Sequence, residues 1–279
     1  MFWNKPNLIS SDEFSIFVSN LSSEVIRDKK LIQRETLLDP AELDDLYFLY
    51  RTTRETMAVS IMEFGSGYST LIFAAALHQN RLAFGDKYLE YCVHPNPFTI
   101  LTVDASSQFL DFSLQRIPIE LRYLIYPHKS EVEFFEFGGA GGQIVNRWTN
   151  LPNFTPDIIY IDGPDPEQIK NSLFGLQANS FSLPMSADIL AREFFLWSET
   201  LIVLDGRGAN AEFLRHNLKR KWQYLKDNIG DRHIFRLESE PWGHFSNQHI
   251  SFKREFYKQN IPWLKNREMY LRAMSKKDV

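Results

Sequence analysis

The stretch Glu63-Phe64-Gly65-Ser66-Gly67-Tyr68-Ser69-Thr70 joins an apolar run at 59–64 to a helical pattern at 69–78. Strand, glycine turn, helix is the order in which a backbone can approach a bound group closely. Gly65 and Gly67 let the chain pass near a ligand and take conformations that other residues resist. The helix that follows offers free N–H groups at Tyr68 to Thr70, which suit a carboxylate or a phosphate. The stretch lacks the third glycine of a dinucleotide fingerprint and the Gly-Lys-Ser/Thr of a phosphate loop. NAD and nucleoside triphosphates are therefore the weaker expectations.

Outward from this turn, strands and helices alternate. Residues 99–103 read as a second strand ending at Asp104, followed by a helix at 107–116. Residues 79–98, with Pro95 and Pro97, read as a polar and aromatic insertion. A third strand is expected at 121–126, followed by Pro127-His128-Lys129-Ser130. Then come the Phe134, Phe135, Phe137 segment and the glycine loop 138–142. A fourth strand at 157–161 ends at Asp162-Gly163-Pro164, and a fifth at 200–204 ends at Asp205-Gly206. Helices are expected at 187–197 and 209–222, and a closing hairpin at 224–237. Asp39-Pro40 starts a helix upstream, with Asp39 as its cap and Pro40 at its first position.

Such alternation predicts an α/β fold with a mostly parallel sheet, and ligands bind beyond the carboxyl ends of its strands. The polar residues fall on that edge: Glu63 and Gly65, Asp104, the 128–130 stretch, Asp162 and Asp205. A carboxylate after the second strand, as Asp104 is, can accept hydrogen bonds from both ribose hydroxyls of a nucleoside. Its plainer role would be to cap the next helix.

At these residues the sequence resembles class I S-adenosylmethionine (SAM)-dependent methyltransferases. Glu63 to Thr70 is similar to their motif I, Thr102-Val103-Asp104 to motif II, Pro156 to Gly163 to the strand-four motif, and Leu201 to Gly206 to the strand-five motif. The resemblance covers roughly residues 40–237. It implies a Rossmann-like sheet of about seven strands, helices on both faces and an antiparallel last strand. It implies that Glu63, Gly65, Ser66, Gly67, Ser69 and Thr70 border the methionyl part of SAM and that Asp104 binds the ribose. Ser130, with His128, would lie near the adenine, and Asp162 beside the sulfonium and the acceptor.

In metal-dependent O-methyltransferases, acids at the places of Asp162 and Asp205 bind Mg²⁺, which would polarise hydroxyls of the acceptor. Gly206 stands where an Asn or Asp often follows, so Asp165 or Asp188 would have to supply a third ligand. A general base is the alternative, with His128 the first candidate and His233 the second. Asp162, His128 and Asp205 are thus the catalytic candidates. Arg207 and Asp165 are the candidates for holding the acceptor, Arg207 through bidentate bonds to an acidic group. A salt bridge to Asp162 or Glu212 is its plainer role.

The chain has 279 residues with 44% hydrophobic and 24% charged residues, ordinary for a globular protein, and a net charge of −4. Polyanion binding needs dense Lys and Arg, so no nucleic-acid partner is expected. The single cysteine, Cys92, excludes an intrachain disulfide and is remote from the fourth strand. No signal peptide or apolar run of about 18 residues is apparent, so a cytoplasmic location is expected. Three parts are expected: a helical extension at 1–38, the SAM-binding domain at 39–239, and an aromatic and basic extension at 240–279. The last would pack on its own domain or on a second subunit of a homo-oligomer, or dock an acidic partner or membrane surface. The expected function is methyl transfer to a hydroxyl of a small molecule or glycan. A degenerate SAM-binding module and, more remotely, an NAD-dependent oxidoreductase are the alternatives.

Overall fold

The structure, a computed structural model, describes residues 40–138, 142–177, 186–228 and 230–259. The expected extension at 1–38, the cap Asp39 and the tail beyond Gln259 lie outside the described residues.

Helix α1 (Pro40–Glu55) leads into β1 (Ser60–Phe64), α2 (Tyr68–Tyr91), β2 (Thr99–Asp104), α3 (Ser107–Arg116) and β3 (Ile125–Lys129). An antiparallel hairpin, β4 (Val132–Phe137) and β5 (Gln143–Trp148), precedes β6 (Ile158–Ile161). Three two-residue strands follow: β7 (Ile169–Lys170), β8 (Ser172–Leu173) and β9 (Leu176–Gln177). Then come α4 (Ala187–Arg192), β10 (Leu201–Asp205), α5 (Gly208–Asn217), β11 (Trp222–Asp227), β12 (Arg232–Leu237) and α6 (Gly243–Gln259).

The main sheet has seven strands in the order β3-β2-β1-β6-β10-β12-β11. Counted along the chain within this sheet, that is 3-2-1-4-5-7-6. The first five follow the Rossmann order. They are mutually parallel, whereas β12 runs antiparallel to β10. The protein therefore has a Rossmann-like α/β fold, with the expected antiparallel last strand.

Side-chain alternation sends the two sets of strand residues into two cores. Ile61, Ile100, Ile158 and Val203 meet α1, α2 and α6 on one face. Met62, Leu101, Ile159 and Ile202 meet α4, α5 and the β4–β5 hairpin on the other. Trp148 of that hairpin stacks on Phe64, ring centroids 5.7 Å apart.

Three expectations are corrected. The helix after the glycine turn runs to Tyr91, because Leu77, Asn80, Phe84 and Tyr88 bury one stripe at helical spacing. Gly85 does not interrupt the helix; a Cβ there would stand 3.5 Å from the Phe98 ring, an ordinary contact, and 3.0 Å from Cγ of the flexible Arg81 side chain. Residues 119–124 form a 3₁₀ turn, so the third strand starts at Ile125. The helix expected at 209–222 ends at Asn217, and Trp222 already begins β11. The Phe-rich segment is β4, with Phe134 buried in the core as expected.

The described part of the C-terminal extension packs on the domain. Asp157, at the foot of β6, lies under α6 and is nearly buried. His249 Nε2 and Lys253 Nζ stand 2.7 and 2.8 Å from its Oδ1, and Val59 N donates to Oδ2 at 2.7 Å. The other ring nitrogen of His249 is 2.7 Å from the Tyr88 hydroxyl. Burial alone would raise the Asp157 carboxyl, but His249 and Lys253 offset it and hold it well below the ordinary range. No described helix is long and apolar enough to cross a membrane.

Candidate active site

The carboxyl ends of β1, β2, β6 and β10 form one rim. Gly65 leaves β1 with φ +92°, a left-handed conformation that favours glycine. An added Cβ there would also meet Gly163 N at 3.0 Å and the Asp162 carbonyl at 3.1 Å. Gly67 differs from expectation. Its φ of −173° is open to any residue, and a Cβ would meet only Ser69 Oγ, at 3.9 Å. A small residue at 67 matters for free space above the turn, not for backbone geometry.

Glu63 lies beneath the turn, fully buried. Its carboxylate accepts hydrogen bonds from Ser69 Oγ (2.5 Å), Thr70 Oγ1 (2.8 Å) and Thr102 Oγ1 (2.9 Å). Burial raises its carboxyl to about 7 against these three hydroxyls. Thr70 Oγ1 also accepts from Gly67 N at 3.2 Å. Glu63, Ser69 and Thr70 therefore brace the turn from below, while residues 65–68 above them are partly exposed.

Asp104, nearly buried, is held from both sides. Its Oδ2 accepts from Ser66 N at 2.9 Å and Ser66 Oγ at 2.8 Å, and its Oδ1 accepts from Ser106 N at 2.8 Å. The cap of α3 is Ser106, whose hydroxyl accepts from Phe109 N. Asp104 thus joins the first glycine turn to the start of α3.

Asp162 is about half exposed on the rim. The surrounding protein raises its carboxyl to about 6, with Asp205 and Asp165 adding to the rise and Arg207 opposing it. Arg207 spans two loops. Its Nη2 donates to the Asp162 carbonyl at 2.5 Å, its Nη1 donates to the Pro164 carbonyl at 3.2 Å, and Nη2 stands 3.7 Å from Asp162 Oδ1. The guanidinium is engaged with the Asp162 turn, the plainer of its two expected roles, although Nε is buried with no partner. Asp205 accepts a hydrogen bond from the Tyr160 hydroxyl; burial raises its carboxyl, and Arg232 and Arg207 oppose the rise. Asp165 caps a 3₁₀ turn, Pro166–Gln168, beyond this group.

His128 is corrected as a base for an acceptor at Asp162. It lies on β3 at the edge of the sheet, in register with Val103. β2 and β1 separate it from β6, three strand spacings or roughly 14 Å. Its Nε2 is bonded to the Asn150 carbonyl. Ser130 is buried, and its hydroxyl accepts from Asn150 N at 3.1 Å. His233 is buried, with Nδ1 2.8 Å from the Tyr224 hydroxyl.

The magnesium expectation does not fit the donor set. Among the described residues no group of three or more His, Cys, Asp or Glu side chains is arranged to hold a metal ion. A cation, Arg207, already sits with Asp162 and Asp205. Asp188 is turned away: both its oxygens accept from Trp148 N, at 3.2 and 3.1 Å, under the hairpin. Two residues of the site were missed in the sequence: Gly163, which meets Gly65, and Tyr160, which holds Asp205. Only the Asp-Gly-Pro turn hinted at the first.

Fold and rim together define a Rossmann-like α/β protein whose glycine turn and strand-end acids share one edge of the sheet. No family model matches the chain, and no curated protein matches it in sequence. Among solved structures it is similar to the SAM-bound O-methyltransferase TomG of Streptomyces achromogenes, involved in tomaymycin synthesis. Identity there is 14%, coverage is 83% of this chain and 100% of that one, and the TM-score is 0.41. It is similar also to the S-adenosylhomocysteine (SAH)-bound methyltransferase PaMTH1 of Podospora anserina (14% identity, 84% and 99% coverage, TM-score 0.44). An O-methyltransferase of Bacillus cereus in complex with SAH is a third (14%, 80% and 97%, 0.35).

Proposed function

We propose that this protein is a SAM-dependent methyltransferase acting on a hydroxyl of a small molecule or glycan. The observation that carries the reading is the crossing of two loops at the rim. The glycine turn after β1, braced by Glu63 and tied to Asp104, touches the Asp162-Gly163 turn after β6. A nucleoside held at Asp104 and a methionyl carboxylate at the free N–H groups of Tyr68 to Thr70 would bring the third substituent of the sulfur toward Asp162.

When bound, SAM supplies an electrophilic methyl group. The chain's own work is to position and to move one proton. Asp162, half exposed with a carboxyl near 6, is mostly ionised at neutral pH and suited to take the proton of an acceptor hydroxyl as its oxygen attacks. Arg207 fixes the Asp162 turn through two carbonyls, which keeps that carboxylate in place. Asp205, oriented by Tyr160, offers a second acceptor for hydroxyls of the substrate. No metal enters this scheme, so chelation with EDTA is expected to leave turnover unchanged.

Titration calorimetry with SAH tests the cofactor. Saturable binding that Asp104→Ala weakens at least tenfold is expected. A purified, folded protein that does not bind SAH would remove the reading and leave the NAD-dependent oxidoreductase, to be tested by titration with NAD; binding without turnover on any acceptor would leave the degenerate module.

A further inference from the structure

Resting on the reading of this site as a nucleoside site, we infer that Ser66 occupies the place of one ribose hydroxyl at Asp104. It thereby sets how strongly the protein distinguishes a ribose from a deoxyribose. A carboxylate has about four acceptor positions. Three at Asp104 are filled within the chain: Ser66 N and Ser66 Oγ on Oδ2, and Ser106 N on Oδ1. One position remains, whereas a vicinal diol brings two donors.

Asp104 cannot turn to find more room, because it is nearly buried at the end of a central strand. Two of its three present donors are backbone N–H groups and cannot retreat. Ser66 N follows Gly65, whose own N–H donates to the Val103 carbonyl at 2.9 Å and whose Cα abuts Gly163. Ser106 N belongs to the cap of α3. The Ser66 hydroxyl alone can leave, by rotation about one side-chain bond, and Ser66 is partly exposed. The first ribose hydroxyl therefore gains a free acceptor, and the second gains only an exchange with Ser66 Oγ. The ribose contributes less to affinity than two full charge-assisted bonds would.

The test compares SAH with its 2′,3′-dideoxy analogue on wild-type protein and on Ser66→Ala, by calorimetry. Ser66→Ala is expected to bind SAH about five- to tenfold tighter, because a second acceptor position is open. The dideoxy analogue is expected to bind both proteins alike, so the ratio of its dissociation constant to that of SAH rises by the same factor. Ser66→Gly also lacks the hydroxyl and carries the same expectation should Ser66→Ala fail to fold. Equal or weaker SAH binding by the variants overturns the inference alone. A common shift for SAH and the dideoxy analogue does the same, since it would report a general change in the loop. Absence of SAH binding to wild-type protein overturns the nucleoside reading and the inference with it.

Discussion

Gly65 and Gly163 touch backbone to backbone: a Cβ built on Gly163 would stand 2.8 Å from both Cα and N of Gly65. The contact comes from opposite sides of one strand gap, since β1 and β6 are parallel neighbours whose last paired residues are Phe64 and Ile161. Both chains turn at the same level, and neither turn has room for a side chain.

Gly163→Ala is therefore expected to force the two turns apart. Overpacking of this kind costs about 1–3 kcal/mol. Urea unfolding should show the loss of stability, and calorimetry with SAH should show weakened binding although residue 163 donates no polar side-chain group. Unchanged values for both would mean that the turns separate freely.

Stability should also depend on pH through Glu63. Its carboxyl is raised from 4.5 to about 7, so the folded protein binds a proton that the unfolded chain has already released between those values. Stability is fully present below 4.5 and falls as pH rises through about 7, by about 3 kcal/mol for a fully buried group. Glu63→Gln carries no such proton. Its stability relative to wild type is expected to improve from pH 5 to pH 8, measured by urea unfolding at both values. A constant difference would sink this account.

Asp162→Asn is expected to lower kcat by a factor of about 10²–10⁴, the range of a lost general base, while SAH affinity stays within a few-fold. In the wild type, kcat should rise with pH through about 6, where the raised carboxyl ionises, and level off above it. The variant should lack that limb. A limb that persists in the variant would assign the titration to another group.

At the other end of the sheet, Asp157→Ala would leave His249 and Lys253 buried without their carboxylate. Removing one partner of a buried ion pair costs about 3–5 kcal/mol. Thermal unfolding should register this, and hydrogen exchange should localise it to α6. A loss below about 1 kcal/mol, the value of an exposed pair, would mean that α6 is held by its aromatic contacts instead.

Much of this architecture was legible from local signals. β1, β2, β6 and β10 are short apolar runs ending in an acid or a glycine, and those ends lie on one rim because parallel strands share a direction. The length of α2 beyond His78 is obscured because Gly85 and the charged residues beside it weaken a helical pattern whose buried stripe shows only against Phe98 and α6. The start of β3 is hidden in the sequence, because Leu121 and Leu124 are apolar in a 3₁₀ turn as they would be in a strand. The acids of the site could be found in the sequence, but their partners could not. Ser66 meets Asp104 across 38 positions, and Arg207 meets the Asp162 carbonyl across 45. Its position after an expected third strand puts His128 on the rim but says nothing of its distance from the acceptor. Strand order, a property of the whole sheet, puts it at the edge.

The anchoring of α6 on Asp157 has a consequence during synthesis. Domains begin to fold while the chain is still being made. Strands β1, β2, β6 and β10 emerge from the ribosome well before residue 249, so the sheet can pair while the foot of β6 is open to water and Asp157 is hydrated. Only when His249 and Lys253 have cleared the exit tunnel can that carboxylate be sealed in. A nascent chain stalled before residue 249 would then hold those parallel strands paired over an unsealed base, readable as protease sensitivity that vanishes when the later residues are added.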